Sequence, residues 1–176
     1  LTEPFRSQTV DLLARVKEAG YELVPYMTLR DVFTQARLWR STRGSGEIEA
    51  AIARLTAAGA GYLAWVLEAV GPQFPQPGVK GHVTNALPGE SWHQFGEAFD
   101  AYWRASDGAI VWGNGDGYET LGRLARDADL EAGYYWEFRD LGHVQYRPAA
   151  SPVANFGSIK IVSQLMEDAF GREVLS

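Results

Sequence analysis

The chain has 176 residues, 46% of them hydrophobic and 22% charged, with no cysteine and a formal net charge of −6. This length and balance fit one globular domain that buries about two-thirds of its unfolded surface. They exclude disulfides and thiolate metal ligands, and an acidic chain without a lysine–arginine block lacks the basic patch that nucleic-acid binding needs.

No apolar run reaches membrane-spanning length, and no signal-like segment follows Leu1, so a leader removed before that residue stays open. Six tryptophans exceed what a core of this size requires, and some are expected to line a groove. A monomer is expected.

Thr2 to Ala19 has helical spacing through Val10, Leu13 and Val16, with Pro4 near its start and Gly20 at its end. Tyr21 to Met27, aromatic and branched, reads as a strand. Thr28 is expected to cap a second helix, with Asp31 in the acidic position of a capping box. That helix carries Arg30, Gln35, Leu38 and Trp39. Arg40 to Gly46 is a basic, glycine-containing loop. Glu47 to Ala58 is an amphipathic helix burying Ile48, Ile52 and Leu55, and Tyr62 to Val70 is helical again after Gly59 and Gly61. Gly71-Pro72 opens a proline- and glycine-rich connection reaching Glu90, expected to form a wall or lid of a site.

The stretch Ser91 to Asp100 follows. A helix would set His93 and Asp100 two turns apart, roughly 10 Å along its axis. An uninterrupted strand would send them to opposite faces. Gly96 can bend the backbone between them, so the stretch reads as a bent lead into a strand that continues through Tyr102-Trp103. Asp107-Gly108 turns the chain, Ala109 to Trp112 returns, and Tyr118 to Leu130 is a helix stopped by Gly133. Tyr134 to Phe138 and His143 to Tyr146 read as two strands joined around Gly142, and Ser158 to Phe170 as a last helix. The expected architecture is α+β: one domain over residues 1–176, with a small antiparallel sheet carrying the site and several helices packed on it.

His93, Asp100 and His143 supply two imidazoles and one carboxylate, a ligand set that zinc accepts with a fourth position left open. Asp140, three residues before His143 across a tight turn, could act on a nearby water as a general base without being a ligand. Taken singly, each has an ordinary role: a hydrogen-bonded histidine, a turn aspartate.

The string S-x-H-x-x-G-x-A-x-D (Ser91, His93, Gly96, Ala98, Asp100), followed by D-x-x-H (Asp140, His143), resembles the zinc peptidases of the D-alanyl-D-alanine carboxypeptidase and L-alanyl-D-glutamate endopeptidase family. These cut the peptides of bacterial peptidoglycan, and several serve as phage endolysins. The early Arg30, Gln35, Leu38 and Trp39 match a third element of that family. The resemblance implies one zinc ion on His93, Asp100 and His143, with Asp140 as the base. It implies Arg30 as stabiliser of the scissile carbonyl oxygen, a role that suits an always-charged guanidinium. Ser91 and Gln35 match substrate-side positions, and Trp136 an aromatic beside the site. His82 matches nothing and reads as a solvated loop residue. The chain departs from the shorter members by a helical insertion over about 47–90. Asp140 and the H-V-Q beginning at His143 resemble the endopeptidase branch, so L-alanyl-D-glutamate cleavage is favoured. D-alanyl-D-alanine trimming is the alternative, and a zinc-bearing binding domain without turnover a third. A cell-wall substrate implies a secreted or periplasmic enzyme, or a released phage lysin.

Overall fold

The structure is a computed structural model that describes residues 1–75, 81–113 and 115–173. Among them are seven α-helices and five short strands, the α+β class expected. In chain order these are α1 (Phe5–Glu18), β1 (Glu22–Met27), α2 (Val32–Arg40), α3 (Ser45–Ala57), α4 (Gly61–Ala69), β2 (Ala98–Arg104), β3 (Ile110–Val111), α5 (Asp116–Asp127), β4 (Glu131–Ala132), β5 (His143–Gln145), α6 (Pro152–Phe156) and α7 (Ile159–Phe170). They fall into two compact units, one of Leu1–Leu29 and Phe95–Pro148, the other of Arg30–Gln94 and Ala149–Ser176.

The first unit is the sheet with α1 and α5. Its strands are antiparallel in the order β1-β2-β5-β4, and β3 also pairs with β2. Alternation along β2 divides its residues. Phe99 and Ala101 join Leu23 and Val144 against Phe5, Leu12 and Val16 of α1 and Leu121 and Ala125 of α5. Each large apolar side chain buried this way contributes about 1.5–3 kcal/mol. Asp100, Tyr102 and Arg104 are therefore left on the opposite face. Asp100 is paired on both sides, with Met27 of β1 and His143 of β5. The Tyr118 hydroxyl donates to the Val111 carbonyl (2.8 Å) and accepts from the Trp103 N–H (3.1 Å), fastening β3 and β2 to α5.

The second unit is helical. Phe33 and Ala36 of α2, Leu63, Val66 and Leu67 of α4, and Val162 and Met166 of α7 are all buried. The close approach of the connection to these helices needs a glycine at Gly89. Its φ is +87°, and a Cβ there would stand 2.7 Å from a Leu63 methyl and 2.9 Å from one of Val162.

Several boundaries differ from the sequence reading. The α2 cap is Asp31, not Thr28: its carboxylate accepts from the Thr34 N–H at 2.8 Å and the Thr34 hydroxyl at 2.6 Å. Both residues are good caps, but the Arg30 N–H donates to the His93 carbonyl (3.1 Å), which holds the chain out of the helix until Asp31. Tyr134 to Phe138 is not a strand. Gly133–Tyr135 form a 3-10 turn, and the edge strand is β4 just before it. The Gly133 carbonyl accepts from the N–H groups of both Trp136 and Asp140, so this backbone closes turns instead of a ladder. The short α6, opened by the Ser151 cap and Pro152, was not foreseen. Residues 76–80 of the connection expected to form a wall or lid lie outside the described residues. No described helix is long and apolar enough to cross a membrane.

Candidate metal centre

Asp100 and His143 face each other across the β2–β5 pair, both buried. The His143 Nδ1 donates to the Asp100 carboxylate at 2.9 Å, and its Nε2 lies 3.3 Å from the Gln145 side-chain oxygen. Gln145 is two residues along β5, hence on the same face, and its amide donates to the Arg147 carbonyl at 2.6 Å. Burial alone would push the His143 pKa down. The hydrogen bond and charge of Asp100, the charge of Asp140 and the Gln145 oxygen outweigh it and leave the imidazole above its ordinary value. The Trp136 ring lies 5.0 Å from that of His143 and is anchored by its indole N–H to Glu131 (2.8 Å).

Asp140 is exposed on the turn that leads into β5, and its charge is felt at His143. The turn is tied down by backbone: the Asp140 N–H donates to Gly133 (3.1 Å), His143 to Asp140 (3.2 Å) and Ala101 to Gly142 (3.0 Å). Two glycines make room for it. A Cβ on Gly142 would collide with the Ala101 carbonyl oxygen, and one on Gly133 would stand 3.1 Å from both the Asp140 and His143 Cβ atoms. The turn thus lies flat on β2 because neither residue has a side chain.

His93 is on the 3-10 turn Trp92–Phe95, which breaks the helix-or-strand choice as the spacing required. Its N–H donates to the Ser91 hydroxyl at 3.4 Å, and the neighbouring Trp92 indole donates to the Ala149 carbonyl at 2.8 Å. Gly96, at φ +66°, provides the bend before β2. His93, Asp100 and His143 are all buried, and one ligand atom from each lies within 4.8 Å of the others. Ligand atoms about 2 Å from one tetrahedral ion stand about 3.3 Å apart. Two imidazoles and a carboxylate gathered in this way could hold a metal ion.

Arg30 and Gln35 belong to the second unit. The Arg30 Nη1 donates to the Gln35 side-chain oxygen (2.9 Å), while the Gln35 amide donates to the Thr84 hydroxyl (3.1 Å) and the Ala86 carbonyl (2.7 Å). Gln35 is fully buried. Its three bonds brace Arg30 against the connection that ends before Ser91. His82 is exposed, as expected. Sequence reasoning missed Gln145 as a partner of His143, although the two-residue strand period was enough to point to it.

A family model described as D-alanyl-D-alanine carboxypeptidase, VanY, matches residues 1–148. That span contains Arg30, His93, Asp100, Asp140 and His143. No curated protein matches the chain. The chain belongs to the VanY family, which makes it a peptidase of the carboxypeptidase kind acting on peptidoglycan.

Proposed function

We propose that this peptidase is zinc-dependent, with His93, Asp100 and His143 as the metal ligands. The observation that carries the reading is the buried N,N,O donor set with ligand atoms within 4.8 Å of one another. A bound zinc ion would supply an acidified water and a Lewis acid for the scissile carbonyl. Asp140, exposed on the turn before His143, takes a proton from the attacking water and returns it to the leaving amine. Arg30 offers its guanidinium to the developing oxyanion. Gln35, buried behind Arg30, is a positioning residue that reaches the substrate through it. Ser91, half-buried two residues before His93, is the proposed substrate contact.

The family description favours release of a terminal D-alanine from the stem peptide. A second reading, cleavage between L-alanine and D-glutamate, is favoured by Asp140 and the His143-Val144-Gln145 string. Mass spectrometry of stem peptides digested with and without a chelator separates them. Free D-alanine as the sole product removes the endopeptidase reading, an internal cut removes the other, and full activity in chelator removes zinc dependence.

A further inference from the structure

The face of the sheet that carries Asp100 continues into a row of three aromatic rings, two of them exposed, with no part in the proposed hydrolysis. Tyr102 follows Asp100 by two residues on the same face of β2, and cross-strand pairing sets Val24 of β1 opposite it. Tyr26 sits where the β1 register shifts between Pro25 and Met27, and its ring centroid is 6.2 Å from that of Tyr102. Trp112, just past β3, lies 5.9 Å from both tyrosine rings. Tyr26 is 54% exposed and Trp112 is 65% exposed. Arg104 continues the face beyond Tyr102, donating to its hydroxyl at 3.1 Å and pairing with Glu22 at 3.4 Å. Past that pair a cleft of about 350 Å³ opens between Tyr21, Glu22, Trp103 and Arg104.

We propose that the Tyr26–Tyr102–Trp112 face is a sugar-stacking subsite that holds the glycan part of the substrate; this rests on the peptidoglycan peptidase reading above. The three rings meet at the surface with two of them more than half in solvent, and a ligand laid over them would release the water they hold. Their area is too small for a protein partner. Three half-exposed aromatic side chains offer about 300 Å², against the roughly 800 Å² per partner of a stable protein interface. A pyranose matches the chemistry better. Its axial C–H groups lie on an electron-rich ring face, and its hydroxyls need polar neighbours at the rim. The tyrosine hydroxyls, Arg104 and Glu22 supply those. The row also continues the face of β2 that carries Asp100, within the few-residue reach of a stem peptide from its sugar.

The test has two arms on the full chain. In the first, calorimetry measures binding of a soluble N-acetylglucosamine tetramer, with wild type, Trp112→Ala, Tyr26→Ala and, as an exposed apolar control on α1, Val10→Ala. Binding by wild type and by the control, weakened about tenfold or more in both ring variants, is expected. No binding by wild type overturns the proposal. In the second arm, KM is compared on a disaccharide-linked stem peptide and on the same peptide without sugar. The ring variants should raise KM only for the glycan-linked substrate; an equal rise on both means that the rings hold peptide and overturns the proposal. Should wild type cut neither substrate, the peptidase reading fails while the calorimetric arm still decides the sugar. Thermal melts of the ring variants should match wild type, because both rings are already largely in solvent.

Discussion

Replacing Asp140 by alanine separates metal binding from proton transfer more cleanly than any other single change. The carboxylate is exposed and lies outside the buried ligand group. The turn is held by the Asp140 backbone, whose N–H bonds Gly133 and whose carbonyl accepts from His143. Alanine keeps both bonds, so stability should change by less than about 1 kcal/mol, or about 2–4 °C in melting temperature for a chain of this size. The Asp140 charge helps to raise the His143 pKa, and removing it makes the imidazole easier to deprotonate. Metal should therefore stay at one equivalent. A positioned general base contributes roughly 10²–10⁴ in rate, or about 3–5 kcal/mol of transition-state stabilisation. The expected result is a loss of that size in kcat/KM for release from a stem peptide, with zinc content unchanged by elemental analysis. Turnover within about threefold of wild type would refute the base assignment. Loss of zinc at normal stability would refute the placement of Asp140 outside the ligand set.

Gly142→Ala drives a Cβ into the Ala101 carbonyl and strains the backbone bond between the two residues. It should cost about 2–4 kcal/mol and lower the melting temperature by roughly 5–15 °C; an unchanged melt would mean that the turn does not lie on β2. Gln35→Ala removes three buried hydrogen bonds and should lower stability by about 2–3 kcal/mol. It should also reduce kcat while leaving zinc content intact, and a variant of wild-type kcat would remove Gln35 as the brace of Arg30. Gln145→Ala withdraws a neighbour of the His143 ring and should weaken zinc affinity about 10–100-fold by competition with a chromophoric chelator; unchanged affinity would show that Gln145 does not orient the ligand. The raised His143 pKa gives opposite pH slopes to the two forms. Metal-free protein gains its stabilisation from the protonated ring, fully present below the ordinary imidazole range and lost as pH rises through the raised value. Zinc needs the neutral ring, so affinity should fall as pH drops through that same value. Parallel slopes in chelated and loaded protein would contradict this assignment.

How far the sequence reaches depends on whether a feature is set by local pattern or by backbone bonds made elsewhere. The break between His93 and Asp100 was legible because neither regular period fits seven residues and Gly96 stands between. On α3 the spacing pointed to Ile48, Ile52 and Leu55, whereas Leu55 and Ala51 are the residues that are buried and both isoleucines stay partly exposed. Tyr134 to Tyr135 misled, since aromatic side chains favour strands while the Gly133 carbonyl is taken by two N–H groups downstream. Thr28 and Asp31 are both cap residues, aspartate the better of the two, and a bond between Arg30 and His93 that no local pattern announces fixes the start at Asp31. Gln35 read as a polar residue on an early helix; its burial needs Thr84 and Ala86, about fifty positions away, to become visible.

The placing of Asp100 and His143 on the sheet is a consequence of how its other face is packed. Phe99 and Ala101 are fixed in the core with Leu23 and Val144, and the two-residue period then commits Asp100, His143 and Gln145 to the opposite side. A slip of one residue in either strand would expose Phe99 or Val144 and bury a carboxylate or imidazole among α1 and α5. Setting either group among apolar side chains without its present partner would cost several kcal/mol, a large part of the chain's margin of stability. The pairing Asp100↔His143 is therefore enforced by apolar side chains that never meet a substrate. The glycines at 133 and 142 then decide how closely the Asp140 turn can follow. A substitution in that core that preserves volume should leave the site intact, whereas a single backbone-shifting change at either glycine should disturb it.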